Sequence, residues 1–432
     1  MKVEVVPHDP SWKEKFKKEA AKIKQACGDK ILTIEHGGST AIEGLAAKPV
    51  IDIYVGVNKL EDADLMVQDM KELYYQYVTK FEDVMPFRRF FTKDLNNERA
   101  FHVHTVEASH TFRRDDLLFK DYIKENVNAK KEYEELKLNL AKQEWETGLD
   151  YNEAKTEFIT KIKLAALNFF SKKAELAEAE AMFDMFRELP RHTIKECGLS
   201  SKTFGSAKAI QCTSASIFLL NRVIGLGFMD KIGKVLLDEI IEFYRETNQF
   251  SLQLAPVILN DENKTILEQN GFINKSNWVK YIRNTEPVNE TKTDLTIKEI
   301  DAKKASDFAK LAVEVFKIPE MFIPQFETIV GRDKWRHFMA FDGNKTAGIS
   351  SLYINGDTGW LGNAATHPDY RNRGAQGVLI AKRIDAARES GCKWVTVETA
   401  PDSPEKPNPS FRNIIRNNFR LLYFRPNYIF TG

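Results

Sequence analysis

The sequence predicts an α/β (α+β) protein built of several domains, and three observations lead there. The chain has 432 residues, too many for one ordinary core, which suggests about three domains of ~150 residues each. Short apolar runs of strand type alternate with longer stretches of helical period along its length. In the C-terminal part the order strand, helix, strand, Ala-Pro, helix, Gly/Asn-Phe occurs twice. The offset is 145 residues from Pro256 to Pro401 and 147 from Phe272 to Phe419. A repeat that long means two related domains rather than a solenoid. The expected division is 1–170, 171–286 and 287–432, with the polar segment 285–294 as the linker between the last two.

Composition excludes several classes. A hydrophobic content of 43% with 29% charged residues is that of a soluble globular protein. The net charge of +1 makes no bulk electrostatic case for nucleic acid or an acidic membrane. Cys27, Cys197, Cys212 and Cys392 show no metal-type spacing, which points to a reducing cytosol. No run approaches the ~18 apolar residues that span a bilayer, and the start MKVEVVPHDPSW has no apolar signal segment. A cytoplasmic location is expected.

In residues 1–170, Asp9 and Pro10 start a helix with Trp12, Phe16, Ala20, Ile23 and Cys27 on its apolar face. A strand at 31–34 runs into the polar turn 35–40. Strands at 48–57, 88–92 and 101–106 follow, with a helix at 60–75 between them, and 115–170 is helical with a break near Gly148. Ser39 sits on the Gly turn and Asp52 on the next strand. His102 and His104 share one face of a later strand, because residues i and i+2 do so.

The order Gly-Ser, then Asp on the next strand, resembles the nucleotidyltransferase fold. More closely, HGGSTAIEGLAAKPVIDIYV, RRFFTK, FHVHTV and FKDYI are similar to the GrpB family, a nucleotidyltransferase-like group, across residues 1–165. In active nucleotidyltransferases two carboxylates alternate along the strand to hold Mg²⁺. Here the second position is Tyr54, which argues against a nucleotidyltransferase-type enzyme centred on Asp52. The remaining set is Ser39, Lys48, Asp52, Arg89, Lys93, His102 and His104. It suits an anionic or phosphorylated ligand, or a metal held by Asp52 and the two histidines. The other reading is structural, with Asp52 capping the turn and the histidines pairing with it.

In residues 171–286 a helix over 174–189 stops at Pro190. A thin polar stretch precedes a strand at 217–224, a helix at 231–247, a strand at 250–254 and a helix at 263–270. Arg222, Gly225 and Gly227 spell a phosphate-loop pattern, but aligned at the repeat offset they fall ahead of the turn position. That turn carries Asp230, which repels phosphate, so this copy reads as degenerate.

Residues 295–300 form a strand and 303–316 a helix. Strands at 337–341 and 346–354 flank the hairpin signal Asp342-Gly343-Asn344. A strand at 360–366 leads to an Arg-rich turn, a helix at 376–390 and a strand at 394–398. A helix N-terminus offers free N–H groups and the positive end of the dipole, and glycines let a phosphate approach them. The turn is therefore a candidate pyrophosphate cradle. With this order of elements, HPDYRNRGAQGVLI resembles the acetyl-CoA motif of the GNAT N-acetyltransferase superfamily: Arg or Gln, two residues, Gly, one residue, Gly or Ala. Arg371 and Gly374 match. Gln376 stands at the last position, with Gly377 directly after it.

That resemblance implies acetyl-CoA as cosubstrate. The N–H groups of Arg373, Gly374, Ala375, Gln376 and Gly377 would bind its pyrophosphate, with charge from Arg371 and Arg373. Ala364, Ala365 and Thr366 of the preceding strand would meet the pantetheine arm, with Asn408 or Asn413 as hydrogen-bond partners. Glu398 is the expected general base. The family's acid is a Tyr at the position of Ile414, so Tyr423 or Tyr428 would substitute. The expected function is direct acetylation of a small-molecule amine or peptide acceptor by the C-terminal copy. Gln376 and Ile414 keep a second reading open, a ligand-sensing or scaffold protein without turnover.

Overall fold

The computed structural model describes residues 2–431 other than 216, 248, 289, 290 and 404. Residues 289 and 290 of the expected linker lie outside the described residues. The chain divides into two compact units, Met1–Phe170 and Ser171–Gly432.

In the first unit, Asp9 accepts hydrogen bonds from the Ser11 amide and hydroxyl at 2.8 and 2.6 Å and so starts α1 (Ser11–Cys27). The sheet consists of β1 (Ile31–Gly37), β2 (Ile51–Val57), β3 (Gln76–Tyr77), β4 (Arg88–Leu95) and β5 (Glu98–Glu107). Its order is β1-β2-β5-β4-β3, and β2 and β5 run parallel. The short α2 (Leu60–Asp64) and α3 (Val67–Glu72) follow β2. After the sheet come α4 (Thr111–Glu125), α5 (Val127–Ala141), α6 (Gly148–Glu153) and the start of α7 (Thr156–Arg187). Strand alternation divides the residues between two faces. Ile51, Ile53, Val55 and Val57 join Phe101 and Val103 in a core with Trp12, Ile23, Met66 and Met70. Asp52 and Tyr54, paired in register with His102 and His104, occupy the other face.

The second unit opens with the rest of α7, then α8 (Arg191–Cys197) and the hairpin β6 (Leu199–Phe204) and β7 (Ala207–Cys212). This hairpin lies in the stretch read from sequence as thin and polar. Gly205 turns it with φ 58°, and Asp230 Oδ2 accepts the Ser206 N–H at 2.8 Å. Asp230 is therefore a turn cap in the first copy. The strand expected at 217–224 is a 3₁₀ turn at Phe218–Leu220 followed by the short β8 (Arg222–Ile224). Then come α9 (Lys234–Phe243), β9 (Ser251–Gln253), α10 (Asp261–Gln269) and β10 (Phe272–Asn284). The second copy runs β11 (Thr296–Ile300), α11 (Ala305–Phe316), α12 (Ile323–Glu327), β12 (Trp335–Asp342), β13 (Lys345–Asn355) and β14 (Thr358–Thr366). It closes with α13 (Ala375–Glu389), β15 (Trp394–Thr399), α14 (Pro409–Arg416) and β16 (Arg420–Phe430).

These strands form one mixed sheet of 11, in the order β11-β12-β13-β14-β15-β10-β16-β9-β8-β7-β6. The expected boundary at 286/287 falls in the connection from β10 to β11, yet β10 lies inside the shared sheet. Each copy contains one short parallel pair: β8 with β9 at Arg222↔Ser251 to Ile224↔Gln253, and β14 with β15 at Thr358↔Trp394 to Trp360↔Thr396. The last strand of each copy then pairs with the other copy. β10 runs antiparallel to β15, β16 runs antiparallel to β9, and β10 and β16 pair along most of their length. The two copies thus exchange their final strands. Each one's parallel pair is flanked by a strand from the other.

Candidate functional site

In the first unit, Gly38 has φ 63°, and a Cβ there would lie 2.0 Å from Asp52 Oδ2, so the carboxylate closes directly on the turn. Asp52 Oδ1 meets His102 Nδ1 at 3.3 Å and His104 Nε2 at 3.5 Å. Burial acts to raise the Asp52 pKa, but the two histidines outweigh it and hold the carboxyl below the usual range. Arg88 Nη1 stands 3.2 Å from His104 Nδ1. A guanidinium only donates, so Nδ1 accepts and Nε2 carries the proton toward Asp52. One ligand atom from each of Asp52, His102 and His104 falls within a 4.8 Å cluster, close enough to share a metal. In this arrangement, however, the His104 atom facing Asp52 is a donor.

Lys48 Nζ lies 4.1 Å from the Tyr151 ring centroid and Lys155 Nζ 4.2 Å from the same ring. Burial, with the Lys48 charge adding to it, lowers the Lys155 pKa to about 8, while Asp52 opposes. Ser39 Oγ donates to Tyr133 at 3.4 Å. Ser39, Lys48, Asp52, His102 and His104 are therefore neighbours, as grouped from the sequence.

Arg89 and Lys93 are not part of the group. On β4, Phe90 pairs with His104 and Thr92 with His102, so the odd-numbered residues face the opposite side. Arg89 pairs there with Asp64, and Lys93 reaches Glu19 of α1 at 2.6 Å. Strand parity puts Arg88 at the site in their place. Lys155 and Tyr151 are not found by the sequence pattern because they come from the turn before α7 and from α6, far along the chain.

In the second unit, the parallel pairing of β14 with β15 ends at Trp360↔Thr396. Beyond it the strands part around a cavity of about 370 Å³. Leu361 to Ala364 form one wall and Val397 to Ala400 the other, with Gln376 and Ser410 at one end and Phe316, Phe326 and Trp278 lining other parts. Gly374 caps α13 in the left-handed region at φ 78°, and Asn372 is left-handed as well at φ 64°. The turn thereby presents the first amides of α13. Arg371 is exposed. The Arg373 guanidinium is held by Asp294 and Asp342. Its charge is thus compensated within the turn, and the expectation that it faces the pyrophosphate gives way to an anchoring role.

Gln376 accepts from Asn413 Nδ2 at 2.6 Å and donates to Ser410 Oγ at 3.1 Å. This ties the cradle to α14, so Gln376 is a strut at the position where the motif has a small residue. Asn408 caps α14 by accepting the Ser410 N–H at 3.0 Å, and its Nδ2 donates to Thr399 and Ala400. With its amide engaged this way, Asn408 serves the fold rather than a pantetheine arm. Of the strand residues expected at the arm, Ala364 lines the cavity, while Ala365 and Thr366 lie further along β14, paired with Ile349 and Gly348.

Glu398, on β15, lines the cavity, and its side chain is 8% exposed. It accepts from Trp360 Nε1 at 3.0 Å and from Lys280 Nζ at 3.1 Å. Burial, reinforced by Glu178, raises its pKa, against Lys280 and Arg425. Behind it a polar row crosses the sheet. Arg222 on β8 and Arg425 on β16 both meet Gln253 on β9, at 3.0 and 2.9 Å. Lys280 on β10 leads on to Glu398. Glu175 and Glu178 of α7 close over the row and pair with Arg222, Lys280 and Arg425.

Tyr423 belongs to this row. Its hydroxyl donates to Glu175 at 2.7 Å, it is 4% exposed, and it is not among the cavity-lining residues. Its expected role as the acid is corrected accordingly, because the inward-facing residues of β16 are sealed beneath α7. Arg222, the first residue of the look-alike loop, is likewise a buried ion-pair partner.

The two arrangements define a protein of two parts: a polar site on a small mixed sheet, and a cavity opened by parting parallel strands beside a helix N-terminus. Residues 2–164 match the GrpB protein family model, and residues 305–405 match that of the Acetyltransferase (GNAT) family. The chain is similar to the glutamate-rich protein GrpB of Alkalihalophilus pseudofirmus, 34% identical over 37% of this chain and 92% of the relative. It is 36% identical to UPF0157 protein YqkA of Bacillus subtilis over 37% of this chain, and the match spans only 45% of that relative's length. The solved structure of GrpB from Enterococcus faecalis is 33% identical, covering 39% of this chain and 99% of that one, with a TM-score of 0.36. The chain belongs to the GrpB family through its first unit, and it joins this part to a second unit in which residues 305–405 match the GNAT family model. No helix of the described residues is long and apolar enough to cross a membrane.

Proposed function

We propose that the second unit transfers an acetyl group from acetyl-CoA directly to an amine. The observation that carries this reading is the cavity between the α13 N-terminus and Glu398, opened where β14 and β15 part. The amides of Ala375 to Gly377 and the exposed Arg371 take the pyrophosphate. The backbone of Leu361 to Ala364 lies along the pantetheine arm and holds the thioester carbonyl. Glu398 removes a proton from the ammonium, and the freed nitrogen attacks the carbonyl carbon. The C–N bond forms, the C–S bond breaks, and the CoA thiolate takes up a proton on the side where Thr399 and Ser410 offer hydroxyls. The match of residues 305–405 to the GNAT model supports the same reading.

The test is ligand-induced stabilisation of the full chain. Acetyl-CoA at 100 times its Kd is expected to add about 2.7 kcal/mol. In Gly374→Glu the shift should vanish, since a Cβ there would lie 2.2 Å from the Lys292 carbonyl oxygen. Arg371→Glu, at an exposed position, should weaken binding about tenfold while leaving the melting temperature of the free protein unchanged. A wild-type protein indifferent to acetyl-CoA would leave the ligand-sensing reading in its place.

For the first unit we propose binding of a small anion beside Asp52. Two ammonium groups on one tyrosine ring support it. Inorganic pyrophosphate is expected to raise the first unit's melting temperature in wild type, and Lys155→Gln should remove the effect. An equal shift in both proteins sinks the proposal.

A further inference from the structure

Arg383 of α13 is 1% exposed, yet it pairs with no carboxylate among the described residues. Arg113, Arg222 and Arg425, buried to a similar degree, each meet a glutamate. Arg383 instead donates from Nε to Leu379 O at 3.1 Å, and from Nη1 to Ser351 O at 3.3 Å and Gly362 O at 3.4 Å. These carbonyls supply dipoles but no counter-charge, and a buried cation without one is costly. Burial lowers its pKa to about 9. A guanidinium has five N–H donors, and these bonds leave Nη2 unengaged. Arg383 lines the cavity, and its Nη1 contact is to Gly362, on the strand that would hold the thioester carbonyl.

A second group in the same cavity points the same way. Gln325 of α12 is 3% exposed and lines the wall, and its buried Oε1 accepts no hydrogen bond. A buried acceptor left unmet is destabilising, so it is suited to an N–H or O–H brought in by a ligand.

We infer that the cavity takes a ligand bearing a carboxylate, which Arg383 holds through Nη2 while Gln325 accepts a hydrogen bond from the same ligand. The inference rests on the acetyl-CoA reading of this cavity and narrows it. A carboxylate can arrive by two routes: on the acyl chain of a dicarboxylic CoA thioester, or on the acceptor as an amino acid. Either way the charge-assisted pair with Arg383 is made in a cavity walled largely by apolar side chains, where it discriminates strongly against a neutral analogue.

The experiment has two arms and uses the full chain. In the first, affinity and turnover are compared for succinyl-CoA and acetyl-CoA. In the second, phenylalanine is compared with phenethylamine as acceptor, with CoA release as the readout. Wild type is expected to favour the carboxylate-bearing member of one pair by about tenfold or more, and the pair affected identifies the source. Arg383→Gln should bring that ratio to about one, and Arg383→Lys should leave it intermediate. If Arg383→Gln does not fold, the wild-type ratios and the Lys variant still decide. No carboxylate preference in either arm overturns the inference, and so does a preference that persists in Arg383→Gln. Binding of both CoA thioesters without preference in either arm refutes the role of Arg383 alone. Binding of neither thioester refutes the acetyl-CoA reading beneath it.

Discussion

Glu398→Gln is expected to reduce kcat/KM for acetyl transfer by about 10²–10⁴-fold while leaving acetyl-CoA affinity unchanged. Glutamine keeps the acceptor oxygen that Trp360 Nε1 meets at 3.0 Å. Lys280 keeps Glu178 as its partner, so the substitution removes proton-accepting capacity without opening the fold. The loss should fall on kcat, because the carboxylate acts on the acceptor nitrogen and the pyrophosphate is held at the far end of the cavity. The pH profile supplies a second readout. Burial, with Glu178 adding to it, raises the Glu398 pKa, and the base works only when ionised. The wild-type rate should therefore fall as pH drops through a value above the ordinary glutamate pKa of about 4.3. That acid limb should be absent from the residual activity of Glu398→Gln. A variant with wild-type kcat, or with an unchanged acid limb, would remove Glu398 from the chemistry.

Local signals carried much of this protein into view. The Arg-rich turn before α13 was legible because a helix N-terminus, a left-handed glycine and an arginine are encoded within a few residues. Asp52, His102 and His104 were legible because period-two alternation places residues of one parity together. The same alternation misled where register was needed. RRFFTK carries basic residues of both parities, and only the pairing of Phe90 with His104 shows that Arg88 faces the site and Arg89 does not. The strand exchange was hidden for a related reason. The repeat announced two similar copies, but nothing local to residues 272–284 or 420–430 says which copy's sheet each strand joins. Tyr423 was misplaced with β16: its neighbours in sequence do not show that Glu175 of α7 lies over it. Helical spacing alone places the stem of Arg383 on the apolar face of α13. Its missing counter-charge is a property of three-dimensional surroundings alone.

Glu178→Gln is expected to destabilise the second unit by about 3–5 kcal/mol, the usual loss when one partner of a buried ion pair is removed. Glu178 is fully buried and meets Arg222 at 3.2 Å, Arg425 at 2.5 Å, and Lys280. These cations come from β8, β16 and β10, so one carboxylate binds a strand of the first copy and both exchanged strands. Without it, Glu175 and Glu398 are left to balance the same three cations. Replacing the Glu178–Lys280 pair by two methionines should cost less than Glu178→Gln alone, because no charge of that pair is left without its partner. The pH dependence follows from the direction of the shift. Burial acts to raise the Glu178 pKa, but Arg425, Lys280 and Arg222 outweigh it and hold the group below its ordinary value. Its contribution is therefore present above the unfolded carboxylate pKa of about 4.3 and is lost as pH falls below it. Urea unfolding of the full chain, followed at several pH values, measures both effects. Because β10 and β16 pair with each other and with opposite copies, the two copies should unfold in one transition, and Glu178→Gln should move that transition without splitting it. Two separated transitions within residues 171–432 of the wild type would contradict the shared sheet as a single cooperative unit. A Glu178→Gln midpoint equal to wild type would show that the buried row does not hold the exchanged strands in place.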